Sequence, residues 1–242
     1  MDYRTLINRP KTKRGRETLN RILSAAAQVF YEKGYHSASI NDITKVAGVA
    51  SGTFYVYFDG KYTLYKFLLL QCSHMIRKHL HQATQNCKTR QEAERVGMQA
   101  WLEFIVKNRY MYHIIWESLY VDKQLFVEYY TSFARTYIRG IEAAKEMGEI
   151  RAEVDSEVLA WSLIGVSNFL GLNWGLFKEY TSDLDKVVSN FMSIISVGIF
   201  TERGLAPDDQ EQLPIQIQVE FDDDEELLED DDEELFANEA EG

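Results

Sequence analysis

Two short helical patterns that meet across a glycine, within residues 39–58, constrain the fold more than any other feature of this chain. Ser39 is followed three residues later by Asp42, which is the spacing of a capping box at the start of a helix. The apolar spacing that follows ends at Gly48, where the positive φ open to glycine permits a tight turn. Ser51 then begins a second short helix with a polar N-terminal end. The sequence therefore predicts two short helices joined by a sharp turn.

A longer helix is predicted to precede this pair, over residues 17–33. Apolar residues recur there at the spacing of one helix face, and they are Leu19, Ile22, Leu23, Ala26, Val29 and Phe30. Gly34 stands where a glycine in a left-handed conformation ends a helix. This order is typical of a helix-turn-helix, whose last helix contacts base edges in the major groove of DNA. Three short helices of an ordinary bundle are the alternative interpretation.

The stretch from about Arg16 to Leu68, about a quarter of the chain, resembles the N-terminal domain of the TetR/AcrR family of transcriptional regulators. The residues that carry the resemblance are Ala25, Phe30, Gly34, Tyr35, Ile43, Ala47-Gly48-Val49, Gly52-Thr53-Phe54-Tyr55, Tyr57-Phe58, Lys61 and Leu64. The resemblance implies an all-α protein with four parts. These are a basic N-terminal arm (1–15), a three-helix helix-turn-helix DNA-binding domain (16–60), a helical effector-binding and dimerisation domain (61–206) and a disordered acidic tail (207–242).

The resemblance also implies DNA contacts. The expected contact residues are Arg14, Arg16, Ser39, Lys45, Ser51, Gly52, Thr53, Tyr55, Tyr57 and Lys61. Tyr55 and Tyr57 would hydrogen-bond phosphates, Lys61 would neutralise a phosphate, and residues 51–53 would approach the bases. Phe54 and Phe58 would be buried inside the small domain.

Two departures from the family pattern affect how DNA would be read. Ala50 stands where the family often has Ser or Thr, and an alanine at a helix cap costs about 1 kcal/mol. The recognition helix also has no basic residue, so bidentate reading of guanine by arginine from this helix is not expected. Reading would rest on hydroxyls, thymine-methyl contacts and the basic segment Arg9–Arg16, which would follow phosphates or enter the minor groove. A merely solubilising terminus is the alternative for that segment.

The net charge of the chain is −12, which by itself argues against a nucleic-acid partner. Residues 207–242, however, hold 17 acidic residues and no Lys or Arg, and the remaining 26 basic and 21 acidic residues give +5. Residues 1–66 alone carry +6, from 11 basic and 5 acidic residues. The distribution of charge therefore permits DNA binding where the overall charge does not.

The rest of the chain is predicted to be helical, near residues 61–83, 90–108, 110–120, 122–147, 155–178 and 183–203. Asp155 and Asp183 are expected at helix starts, and Gly148 and Gly204 at helix ends. Residues 158–177 carry no charge, and a helix of this length could span a bilayer. Polar interruptions and the lack of basic flanks favour a helix buried in a dimer. By resemblance, the last two helices form the homodimer interface, which would place two recognition helices on a palindromic operator.

Large aromatic residues are concentrated in the middle helices. They predict either plain core packing or an apolar effector cavity with a few polar anchors. The expected cavity residues are Trp101, Phe104, His113, Trp116, Glu117, Tyr120, Phe126, Tyr130 and Asn168. An apolar effector would favour a state with wrongly spaced DNA-binding heads, and DNA would favour the other state.

The acidic tail after Pro207 is unusual. Its run from Asp222 to Glu234 is almost wholly acidic, and such a composition cannot bury enough apolar area to fold alone. Three interpretations stay open. The tail is a disordered solubilising segment, a segment that orders on a protein partner, or a DNA mimic that competes for the basic head.

No sequence motif for catalysis, a metal or a cofactor is present. The two cysteines, Cys72 and Cys87, are far apart, and no secretory signal precedes them, so a reduced cytoplasmic compartment is expected. The sequence therefore predicts a ligand-responsive, homodimeric, DNA-binding regulator that is a repressor and not an enzyme. A DNA-binding structural or interaction protein without an effector, whose tail binds a protein, is the alternative.

Overall fold

The computed structural model describes residues 6–177 and 183–197, which are helical wherever they are regular. The helices are α1 (Lys13–Ser37), α2 (Ile40–Ala47), α3 (Ser51–Tyr55), α4 (Lys61–Thr84), α5 (Arg90–Lys107), α6 (Arg109–Val121), α7 (Lys123–Glu146), α8 (Ser156–Gly171) and α9 (Leu184–Val197). A wider π-type turn, Leu172–Phe177, continues α8. The all-α prediction is confirmed. The predicted end of the last helix, Gly204 and residues 207–242 lie outside the described residues.

The N-terminal segment is more ordered than the predicted arm. Thr12 caps α1, so the helix begins four residues earlier than expected and takes in the predicted contact residues Arg14 and Arg16. Asn8 is attached to the end of the helix-turn-helix, because its backbone N–H donates to Tyr57 O and its side-chain amide donates to Val56 O. The prediction of a free arm up to residue 16 is wrong for this part of the chain, since backbone hydrogen bonds hold it.

The helix-turn-helix forms as the sequence predicts. Ser39 and Asp42 make both hydrogen bonds of the capping box. Gly48 has φ 64° and ψ 41°, the left-handed conformation that ends α2. Gly34 has φ 72° and interrupts the helical geometry near the end of α1. Ala50 makes no side-chain cap at the start of α3, as its lack of a hydroxyl requires. The conformation of this region is therefore determined by residues that are close together in sequence.

The body follows the predicted helix order with small changes at the ends. Asp155 caps α8 by accepting from the Val158 N–H, and Gly148 follows α7 with φ 74°. One face of the uncharged segment packs against the body, where a Cβ added at Gly171 would lie 3.0 Å from the Tyr112 hydroxyl, and one at Gly175 would overlap Ile105. Among the described residues, no helix is long and apolar enough to cross a membrane.

One helix belongs to both parts of the fold. The N-terminal half of α4 contributes Leu64 and Leu68 to the core beneath the helix-turn-helix, and Tyr65 donates a 2.6 Å hydrogen bond to Ile114 O on α6. The C-terminal half of α4 continues into the body, where it packs against α5. Helix α4 thus connects the body to the DNA-binding domain.

Candidate functional site: a DNA-facing helix and an effector cavity

Helix α3 presents polar groups outward from a buried anchor. Phe54 is fully buried and Phe58 is almost so, as predicted. Ser51 and Gly52 are exposed, and the Tyr55 side chain is 55% exposed. The Ser51 hydroxyl donates to Asn41 Oδ1 at 3.2 Å, which ties the start of α3 to α2. The arrangement leaves a short, exposed polar surface on α3, which is narrow enough to enter a groove of DNA.

Exposed cations flank this surface. Six of them make no ion pair with the described residues, and they are Lys11, Lys13, Arg14, Arg16, Arg21 and Lys45. Lys33 differs, because it lies 2.8 Å from the Asp42 carboxylate. Hydrogen bonds from Lys33 and Ser39 hold the pKa of Asp42 well below its usual range, so this capping group is ionised at neutral pH. Apart from that pair, the positive charge is available to phosphates.

Two predicted phosphate contacts are already engaged inside the domain. Tyr57 is only 7% exposed, and its hydroxyl donates to Gly15 O at 3.1 Å. The ammonium group of Lys61 donates to the carbonyls of Tyr35, His36 and Ala38 at 2.6, 3.2 and 2.7 Å. All three of its protons are used to close the end of α1. The geometry therefore argues against direct phosphate contacts by these two side chains.

The body contains a cavity of about 440 Å³ between α4, α5, α7 and α8. Its volume lies within the range of about 300–1,000 Å³ that is typical of ligand pockets. The walls are largely aromatic and aliphatic, with Leu80, Met98, Trp101, Tyr129, Tyr130, Phe133, Tyr137 and Ile164 among the lining residues. The cavity is thus suited to an apolar molecule or the apolar part of a larger one.

Only part of the predicted effector set lines this cavity. Trp101, Tyr130 and Asn168 do so, and six lie elsewhere: Phe104, His113, Trp116, Glu117, Tyr120 and Phe126. Tyr120 is 79% exposed and cannot line a cavity in this structure. Sequence reasoning missed Arg77, Arg90 and Glu94. Their charge suggested a solvated surface, and only the packing of α4 and α5 shows that they face inward.

Several polar side chains that line the cavity form hydrogen bonds with one another or with the backbone. Tyr130 donates to Asn168 Oδ1 at 2.9 Å, and the Asn168 amide donates to Ile164 O at 2.7 Å. Glu94 accepts hydrogen bonds from Arg90 and from the Tyr137 hydroxyl. These bonds fix the cavity wall and leave little capacity for a polar ligand at these positions.

His113 and Glu117 lie at the junction of α6 with the DNA-binding domain, whereas Trp116 packs against Tyr112 and Phe169. Glu117 Oε1 accepts a hydrogen bond from the Tyr35 N–H, just after the bend at Gly34. Its other oxygen lies 3.9 Å from His113 Nδ1. Within the part of the chain that the structure describes, three buried polar atoms of α6 have no hydrogen-bond partner, and they are His113 Nδ1, Trp116 Nε1 and Glu117 Oε2. The Glu117 contact thus joins the Tyr65–Ile114 hydrogen bond in connecting α6 to the DNA-binding domain.

Helix α8 exposes an apolar stripe on its outer face. Val158, Trp161 and Phe169 are exposed at helical spacing, and the Phe169 side chain is 68% exposed. Gly165 lies on the same stripe, and a Cβ added there would meet no atom within 4 Å. An exposed apolar surface of this kind marks an interaction site.

Comparison with known proteins agrees with the helix-turn-helix described above. Residues 22–67 match the family model described as bacterial regulatory proteins, tetR family. The chain is 30% identical over 107 residues to the transcriptional activator FasR of Mycolicibacterium smegmatis, covering 44% of this chain. The matched part spans about half, 49%, of that relative's own length.

Solved structures share the fold over a longer stretch. The regulator of fatty acid degradation FadR from Bacillus halodurans matches with a TM-score of 0.68 and 21% identity, over 77% of this chain and 96% of that one. FadR from Bacillus subtilis, in complex with stearoyl-CoA, matches with a TM-score of 0.65 and 20% identity, over 75% and 100%. The proteins that this chain is similar to are transcriptional regulators rather than enzymes.

Proposed function

Residues 22–67 match the family model of the tetR regulatory proteins, and from that premise we propose that this chain is a member of the family and regulates transcription. In this proposal a homodimer binds a palindromic operator and represses transcription, and a small, largely apolar effector releases it. The observation that carries the proposal is the exposed polar face of α3 beside six cations that make no ion pair within residues 6–177 and 183–197. Cations placed this way bind phosphates, while groups on the recognition helix reach bases.

The homodimer is supported by the apolar stripe on α8. Val158, Trp161 and Phe169 would be costly to leave in water at about 25 cal/mol per Å² of apolar surface, and a second copy would cover them. The open space at Gly165 allows a partner helix to come close. Two recognition helices about 34 Å apart would then match successive major-groove turns.

The cavity supports the proposal of a small-molecule effector, because an interaction protein without a ligand would not need one. FadR of Bacillus subtilis has been solved with stearoyl-CoA bound, and we extend a chain-like acyl ligand to this protein as a proposal. Because α4 lines the cavity with Arg77 and Leu80 and also supports the DNA-binding domain, a ligand that moves α4 would shift the spacing of the two heads. The effector would thus bind one state and DNA the other.

DNA binding by the purified protein tests this function. Fluorescence anisotropy would compare DNA from upstream of its own gene with unrelated DNA at two salt concentrations. We expect a specific complex that weakens with salt, that Tyr55→Ala abolishes, and that long-chain acyl compounds dissociate. A matched control is Tyr120→Ala, which removes a tyrosine that is also exposed but lies on α6.

The direction of regulation follows from a reporter assay. Repression requires that deletion of the gene raises transcription from the bound promoter. Lower transcription after deletion would instead assign this chain the activator role that the name of FasR gives to that relative. No preference for the upstream DNA at either salt concentration, with acyl compounds absent, would contradict the operator proposed here.

A further inference from the structure

One polar corner of the cavity, at Arg77 on α4 and Tyr129 on α7, holds a positive charge without a carboxylate among the described residues. Arg77 lines the cavity and is only partly exposed. Its guanidinium donates to the Ser73 hydroxyl at 3.2 Å and to the Ser132 hydroxyl and carbonyl at 2.9 and 3.4 Å, and it lies 4.2 Å from the centre of the Phe133 ring. These partners are neutral, so within the described residues no carboxylate balances its charge.

The hydroxyl of Tyr129 is the second polar group of this corner. Tyr129 is buried, lines the cavity and makes no hydrogen bond through its hydroxyl to any described residue. Burial raises the pKa of this phenol, and Arg77 is close enough to lower it in part. The phenol therefore stays protonated at neutral pH and keeps a donor beside a positive charge.

Apart from His81, which is exposed, the remaining polar side chains of the cavity make hydrogen bonds within the protein. Glu94, the one acid among its lining residues, is held by Arg90 and Tyr137. Thr84 and Thr136 donate to backbone carbonyls of their own helices, and Asn168 is bonded as described above. With two arginines and one glutamate, the lining carries a net charge of +1 when histidine is neutral.

Arg77 is hydrogen-bonded but has no carboxylate partner among the described residues, so a ligand that supplies a negative charge would gain a favourable ion pair in this partly enclosed cavity. We propose that the effector is an apolar chain that ends in a carboxylate, and that Arg77 and Tyr129 bind this carboxylate while the aromatic walls hold the chain. The inference rests on the proposed effector cavity and specifies the chemistry of its ligand. It distinguishes a free acid from a thioester, whose acyl end carries no charge.

Direct binding to the full-length protein without DNA tests this proposal, so its outcome does not depend on operator binding. Isothermal titration would compare dodecanoate, dodecanol and the CoA thioester of dodecanoate, with octanoate and hexadecanoate to vary the chain length. A charge-assisted pair adds enough free energy for the acid to bind about tenfold more tightly than the alcohol.

Substitutions then assign the preference to this corner. Arg77→Gln should abolish the preference for the acid, and Tyr129→Phe should reduce it while keeping the ring. Lys78→Gln is the matched control, because it removes one positive charge from the neighbouring, exposed position of the same helix. Thermal unfolding would check that each variant is folded, and Tyr129→Phe keeps the test decisive if Arg77→Gln does not fold.

Three results would overturn the proposal. The first is equal affinity of the wild-type protein for acid and alcohol, and the second is an acid preference that survives in Arg77→Gln. The third is binding of the thioester without binding of any free acid. The third result would leave the proposed regulator with an acyl effector intact, whereas failure of every ligand to alter operator binding would count against that function itself.

Discussion

Glu117 on α6 accepts a hydrogen bond from the backbone N–H of Tyr35, at the end of α1. Its carboxylate thus connects the body to the DNA-binding domain at a point next to the bend at Gly34. The contact is largely enclosed, because the Glu117 side chain is only 14% exposed. The sequence placed this residue in the effector cavity, and the structure places it at the junction between the two parts of the protein.

Glu117→Ala should destabilise the protein and weaken communication between its parts. Loss of the acceptor leaves the Tyr35 N–H unpaired, which costs about 1–3 kcal/mol. Glu117→Gln, which keeps an amide oxygen at this position, should retain most of that free energy of unfolding. Urea denaturation would measure it, and equal stability of wild type and Glu117→Ala would show that the contact contributes nothing.

Gly34→Ala should be more destabilising than the same change at Gly148. Both glycines have positive φ, 72° and 74°, and Gly34 also has ψ 157°, a combination that is essentially confined to glycine and costs another residue about 1–3 kcal/mol. At Gly34 the new Cβ would also lie 3.2 Å from Glu117 Oε1, whereas at Gly148 it would meet nothing within 4 Å. The difference between the two melting temperatures measures the combined cost of this backbone conformation and of the Glu117 contact, and identical shifts would contradict the prediction.

Tyr55→Phe and Tyr57→Phe should separate DNA binding from stability. The exposed hydroxyl of Tyr55 is free to reach a phosphate, so its loss should weaken operator binding severalfold without changing stability. The Tyr57 hydroxyl donates to Gly15 O, so its loss should lower the free energy of unfolding by about 1 kcal/mol. Anisotropy and urea denaturation would be measured on both variants. If Tyr57→Phe instead weakened operator binding without changing stability, the phosphate contact that the sequence suggested for Tyr57 would be supported.

Gly165→Gln should dissociate the homodimer while leaving the protomer as stable or more so. The added side chain meets no atom of its own chain near the backbone, and replacing a mid-helix glycine gains up to about 1 kcal/mol of helix stability. A partner helix packed on this stripe would be pushed away. Sedimentation equilibrium would measure the mass, with Val127→Gln on the exposed side of α7 as the control. If Gly165→Gln remained a dimer, the dimer interface would have to lie on another surface.

Deletion of residues 207–242 should tighten DNA binding, mostly at low salt. The prediction comes from sequence alone, because these residues lie outside those that the structure describes. Removing 17 acidic residues changes the net charge from −12 to +5, and salt screens such effects. A full-length variant with Asp222–Glu234 changed to the matching amides controls for length. Equal affinity of the full-length and truncated proteins at low salt would eliminate the DNA-mimic interpretation.

The helix-turn-helix could be predicted because its signals are local. The capping box at Ser39 and the positive φ at Gly48 each depend on a few neighbouring residues. The start of α1 could not be placed in the same way. Backbone contacts from Asn8 to Val56 and Tyr57, far apart in sequence, hold the segment before it.

The sequence predicted a largely apolar cavity in the body, and the structure contains one with only part of the predicted lining. Periodicity identifies which side chains share a helix face, and Trp101, Tyr130 and Asn168 of the predicted set line this cavity. It does not say which faces meet, so Phe104 and Phe126 could not be told apart from cavity residues. Arg77 was missed because a charged side chain is exposed in most proteins.

The sequence by itself determined the helical class, the turn between α2 and α3 and the buried aromatic anchor Phe54, since these follow from backbone preferences and spacing within a few residues. Only the tertiary structure decided that Lys61 closes α1, that Glu117 holds the domain junction and that Arg77 faces a cavity. Each of these depends on where helices distant in sequence are packed, and charge or polarity alone does not specify a partner at long range.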